Sequence, residues 1–85
     1  MNQIVLNGKE IEIEGFPWKI VERDRINMGT YLVLDIEVNG SCTRELTLRI
    51  KHESMQTSPG EDWILDAIRA ALQGQPDSRR TNLWL

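Results

Sequence analysis

Hydrophobic and polar positions alternate with a period of two over most of the first fifty residues, and the period then changes to about 3.6. The run Ile4-Val5-Leu6-Asn7-Gly8-Lys9-Glu10-Ile11-Glu12-Ile13 sets an Asn-Gly pair between two alternating stretches, the strongest short-range hairpin signal. A two-residue loop there pairs Leu6 with Lys9 and Ile4 with Ile11. Ile4, Leu6, Ile11 and Ile13 then share one face, and Glu10, Glu12 and Glu14 the other. Gly15-Phe16-Pro17 reads as a strand break, because proline cannot donate to a ladder. Residues 18–26 form a charged strand and Asn27-Met28-Gly29 a turn. Residues 31–38 make the strongest strand, with Leu32, Leu34, Ile36 and Val38 on one face and Tyr31, Val33, Asp35 and Glu37 on the other.

Asn39-Gly40 is the next turn, followed by a strand over 41–51 with Leu46, Leu48 and Ile50 on one face. A two-residue loop here would set Leu34 against Glu45, placing a charge among the core leucines. A three-residue loop, Asn39-Gly40-Ser41, sets Leu34 against Leu46 and Leu32 against Leu48, so a bulged or odd-length turn is expected. Residues 52–60 read as a polar loop. Ile64, Leu65, Ile68, Ala71 and Leu72 then mark one face of a helix over about 60–73. Ser58 or Gly60 is its cap, Pro59 lies near its first turn, and Gly74 and Pro76 end it.

These elements predict an α+β fold: one antiparallel sheet of about five strands, in two hairpin or meander units, with one C-terminal amphipathic helix packed on one face. The domain spans 1–74, and 75–85 is a polar tail ending in Leu83-Trp84-Leu85. Residues Gly74 to Asn82 are expected to be exposed. The apolar end can bury itself against its own sheet edge, against a second copy as a homodimer, or in a partner. The expected core is Ile4, Leu6, Ile11, Ile13, Leu32, Leu34, Ile36, Leu46, Leu48, Ile50, Ile64, Leu65, Ile68 and Leu72.

Composition narrows the function. Ten Lys+Arg against thirteen Asp+Glu give a net charge of −3, which excludes a binder that relies on bulk positive charge. A single cysteine excludes an internal disulfide, and Cys42 reads as a small core or rim residue. The absence of a basic, then apolar, leading segment points to a cytoplasmic protein, and no apolar run is long enough for a membrane. The only histidine, His52, stands beside Glu53 with no nucleophile at a recognisable spacing, so the chain reads as non-enzymatic and without a cofactor or metal.

Two constellations remain. The first is acidic and apolar: Glu10, Glu12, Glu14, Asp35 and Glu37 with Trp84 and Leu85, suited to a protein partner. It makes the chain a small protein-binding module or inhibitor, of the kind a phage or mobile element uses to block a host defence or nucleic-acid protein. The alternative is nucleic-acid binding through Arg23, Arg25, Tyr31, Arg49 and Lys51, with Arg25, Tyr31 and Arg49 in one row on the solvent face. That register turns Glu22 and Asp24 toward the core, which implies a twist or bulge in their strand.

Overall fold

The computed structural model describes residues 4–57 and 60–85. Its strands are β1 (Glu10–Ile13), β2 (Phe16–Ile26), β3 (Tyr31–Val38), β4 (Ser41–Arg49) and β5 (Arg80–Trp84), with helices α1 (His52–Thr57) and α2 (Asp62–Gly74) between β4 and β5. The sheet runs β1-β2-β3-β4-β5 in space. The first four strands form an antiparallel meander, and β5 pairs in parallel with β4. The fold is therefore α+β with a mixed, mostly antiparallel sheet.

The single helix of the sequence reading becomes two, and neither is C-terminal. The expected loop over 52–60 contains α1, whose first turn is closed by Ser54 and Met55 N–H groups donating to the Lys51 carbonyl. Its sequence, His-Glu-Ser-Met-Gln-Thr, has no apolar period; Met55 is its one side chain packed against the core. Glu61 stands at the N-cap of α2 without a side-chain cap bond. The expectations for Ser58 and Pro59 lie outside the described residues, as does that for the Cys42 side chain. The 75–85 segment runs back to the sheet as β5, and Thr81, expected to be exposed, is buried. Leu83 and Leu85 pack against the core of their own chain.

The first hairpin also differs. Its turn is Glu14-Gly15, with φ of 51° and 83°, and Ile13 pairs with Phe16. Two successive positive φ values define a type I′ turn, whose twist matches that of the strands. Pro17 fits because it lies beyond the β2–β3 ladder, which begins at Lys19–Glu37. At Asn7-Gly8 only Gly8 has positive φ, so the chain kinks there and residues 4–8 continue along β2. Gly8 N–H donates to the Ile20 carbonyl at 2.8 Å, and Glu22 N–H to Asn7 Oδ1 at 2.9 Å.

The second Asn-Gly settles differently again. Asn39 and Gly40 form a two-residue turn, with φ of 54° and 80° and Val38 opposite Ser41. The register then slips between Ile36 and Glu37, so Ile36 faces Arg44, Leu34 faces Leu46 and Leu32 faces Leu48. The leucine pairing is as expected; the extra residue sits in a bulge rather than in the loop. Burial of the leucines and the preferred turn are thus both satisfied.

Thirteen of the fourteen expected core residues are buried; Leu65 is only partly so, and Ile20 joins them. The slip also turns Arg44 inward, leaving it 6% exposed. Its guanidinium donates to the carbonyls of Leu72 (2.9 Å), Gln75 and Ser78 (2.8 Å) and to Thr81 Oγ1 (3.2 Å). One side chain thereby satisfies carbonyls at the end of α2 and in the connection to β5, where the helix dipole favours a cation. Burial lowers its pKa, opposed by Asp77, yet a guanidinium stays charged at neutral pH. Arg44→Met should cost about 1.5–3 kcal/mol, the worth of charge-assisted bonds lost from a buried site. Arg44→Lys should recover little, since one ammonium cannot span the fork. Chemical denaturation of both variants checks this; a methionine variant as stable as the parent would contradict it.

Candidate functional site

One sheet face covers the core, and strand register orders the other. Four rows cross that outer face. The first is Ile26, Tyr31, Arg49 and Trp84, the second Asp24, Val33, Thr47 and Asn82. The third is Val21, Asp35, Glu45 and Arg80, with Arg23 bulging beside it, and the fourth includes Glu10, Lys19 and Glu37.

The first row holds a built arrangement. The Arg49 guanidinium lies 4.8 Å from the centre of the Tyr31 ring and 4.5 Å from that of Trp84, a cation held by two aromatic rings. No carboxylate among the described residues lies within ion-pair reach of Arg49, and its Nε is enclosed without a hydrogen-bond partner. Beside it opens a cleft of about 430 Å³ lined by Asn27, Thr30, Tyr31, Arg49, Ile50, Lys51 and Trp84. Trp84 is 62% exposed and Ile26 46%. Met28, at the tip of the β2–β3 connection, is 83% exposed and held at φ 58°, next to Asn27 at φ 54°. Left-handed backbone is uncommon at a large non-glycine residue. This loop therefore presents an apolar side chain to water from a strained position.

The five residues of the basic constellation do not assemble. The connection between β2 and β3 holds one residue more than expected, so Ile26, not Arg25, stands opposite Tyr31. Arg25 faces Leu32 and turns to the inner side, where it pairs with Glu22 at 2.5 Å and donates to the Ile4 carbonyl at 2.6 Å. The expected bulge exists, between Glu22 and Asp24, and it returns Asp24 to the outer face. Glu22 stays inside because Arg25 neutralises it. Arg23 points away from the first row and bridges Asp35 (3.6 Å) and Glu45. Tyr31, Arg49 and Lys51 do come together, and Trp84, placed by the sequence reading with the acidic set, joins them.

The acidic set is dispersed too. Glu10 and Glu12 lie on β1 at one sheet margin, and Glu14 occupies the turn instead of the strand face. Asp35 stands directly opposite Glu45, a repulsive pair that Arg23 and Arg80 offset; Arg80 Nε lies 3.1 Å from Glu45 Oε2. Glu37 faces Lys19 across the ladder, and Leu85 packs on the core.

The Arg23 hydrogen bond chiefly holds the Glu45 carboxyl below its ordinary value; burial opposes this and Arg80 assists. A depressed folded-state pKa means that the pair's contribution is complete at neutral pH and is lost as pH falls through that pKa. Arg23→Gln should move the Glu45 titration upward toward the usual carboxylate range, followed by side-chain carboxyl NMR. An unmoved titration would remove Arg23 as its cause.

Set against known proteins, the chain matches no protein-family model, no curated protein and no solved structure. Among the described residues no helix is long and apolar enough to cross a membrane.

Proposed function

We propose that this chain is a non-enzymatic protein-binding module whose anchor is the Tyr31–Arg49–Trp84 end of the outer face. The carrying observation is an arginine held between two rings, with no carboxylate partner among the described residues, beside an open cleft. Tryptophan, tyrosine and arginine are the residues most enriched at interface hot spots. Ile26 and Met28 extend the anchor with exposed apolar surface. The partner that fits is a protein segment carrying a carboxylate next to apolar side chains: the carboxylate meets Arg49 and Lys51, and the apolar groups meet Trp84 and Met28.

Nucleic acid fits this face less well. Arg23 and Arg25 are engaged with carboxylates, and Asp24, Asp35, Glu45 and Glu37 lie on the same face, where they repel phosphates. A photoreactive amino acid placed at Met28, and separately at Glu12, tests the assignment in cells. Crosslinking to one protein from position 28 and not from position 12 is expected. Crosslinks to nucleic acid from position 28, or equal protein crosslinking from both positions, would overturn it.

A further inference from the structure

The two margins of the sheet are unequally protected. β1 is four residues long, carries exposed Glu10 and Glu12, and has its Glu12 carbonyl taken by Arg69 Nε at 3.0 Å. Short, charged and covered edges resist pairing with other strands. β5 has fewer of these devices: of its five residues only Arg80 is charged. It contains no proline or lysine and ends on exposed Trp84.

The hydrogen bonds define which of its groups are open. Leu85 N–H donates to the Arg49 carbonyl at 2.8 Å, Lys51 N–H to the Leu85 carbonyl at 2.7 Å, and Glu45 N–H to the Arg79 carbonyl at 2.8 Å. Successive residues of a strand direct their backbone groups to opposite sides. Thr81, Leu83 and Leu85 therefore face β4, whereas Arg80, Asn82 and Trp84 direct N–H and C=O away from the sheet. Of these, the Arg80 carbonyl already accepts from Ser78 Oγ at 2.6 Å.

We infer that β5 pairs antiparallel with β5 of a second copy, about a two-fold axis at Asn82. In this register Asn82 faces Asn82, and each Arg80 faces Trp84 of the other copy. Each pair is of the hydrogen-bonded kind, which exchanges two backbone bonds. All these side chains lie on the outer face, so a cation meets a ring on both sides of the axis, the contact that Arg49 already makes with Trp84 within the chain. Sliding by two residues would set Arg80 against Asn82 or Asn82 against Trp84, which loses a pair and parts the cation from the ring. A two-fold axis makes the interface self-complementary and closed.

The consequence reaches the cleft. Arg80 of the second copy comes to the side of Trp84, adding a cation to its wall, and the two anchors share one continuous sheet. A five-residue edge buries less than the ~1,200 Å² of a standard interface, so association belongs in the micromolar range, not the nanomolar. The inference is independent of the partner assignment: Arg49→Gln tests that one, and an edge substitution tests this one.

Sedimentation equilibrium of the full chain from about 10 µM to about 1 mM, beside Asn82→Pro, decides it. Proline at position 82 removes an N–H that points away from β4, so the chain's own ladder is untouched. A concentration-dependent dimer in the parent, with a folded monomer in the variant, is the expected result. A parent that stays monomeric throughout, or a variant that still dimerises, overturns the inference. Should the variant fail to fold, amide exchange in the parent gives the answer. Slower exchange at Asn82 and Trp84 as concentration rises supports pairing, and exchange independent of concentration refutes it.

Discussion

Ending the chain at Asp77 should abolish cooperative unfolding. Residues 78–85 supply the fifth strand, and Leu83 and Leu85 pack on the core from it. Burying a leucine contributes ~1.5–3 kcal/mol, somewhat less when burial is partial. Truncation also takes the Ser78 carbonyl and Thr81 Oγ1 from Arg44, leaving a buried guanidinium with part of its shell. Along β4 it strips the partners of Glu45 N–H, the Arg49 carbonyl and, just beyond, Lys51 N–H. A domain of this size rarely holds more than ~5 kcal/mol in its core, so the combined loss exceeds what is available. Circular dichroism during heating should show a broad, non-cooperative change. A truncated chain melting as sharply and as high as the parent would contradict the assignment of β5.

Leu34→Ala should cost about 2–5 kcal/mol. Leu34 is fully buried in the central strand, opposite Glu22 on one side and Leu46 on the other. Neighbouring strands fix its surroundings on both sides, so the cavity left by the missing atoms cannot readily collapse. Urea unfolding measures the loss. A cooperative variant within about 1 kcal/mol of the parent would mean that β3 presents its other face to the core.

The inward face of the sheet was readable because alternation in β3 and β4 leaves one register that buries leucine against leucine. The same rule located an extra residue between β3 and β4, though not its position. Asn39-Gly40 keeps the tight turn, and the bulge that follows places Arg44 beneath the end of α2. Nothing in a pattern of apolar positions marks an arginine that serves carbonyls twenty-eight or more residues away. The first Asn-Gly misled because Glu14-Gly15 competes for the hairpin, and non-local pairing with β2 decides between them.

The candidate site was legible only in part. Tyr31 and Arg49 lie on facing strands, and their pairing follows from the leucine register. Arg23 and Arg25 left the set because a bulge and a longer connection shifted β2 by amounts its charged sequence does not specify. Trp84 reached Arg49 through a parallel return that follows two helices. Parallel pairing has no turn to set its register, so sequence alone offered three places for Leu83-Trp84-Leu85.

The central claim is that Arg49, held by Tyr31 and Trp84, is the anchor for a protein partner. Affinity capture from the cells that make the protein, using the parent chain and Arg49→Gln side by side, tests it most directly. Both chains should be folded at the assay temperature, because an exposed cation–π contact is worth only ~0.5–1 kcal/mol. The expected result is one protein recovered in stoichiometric amount by the parent and lost with Arg49→Gln. Recovery of the same protein in equal amount by both would contradict the claim.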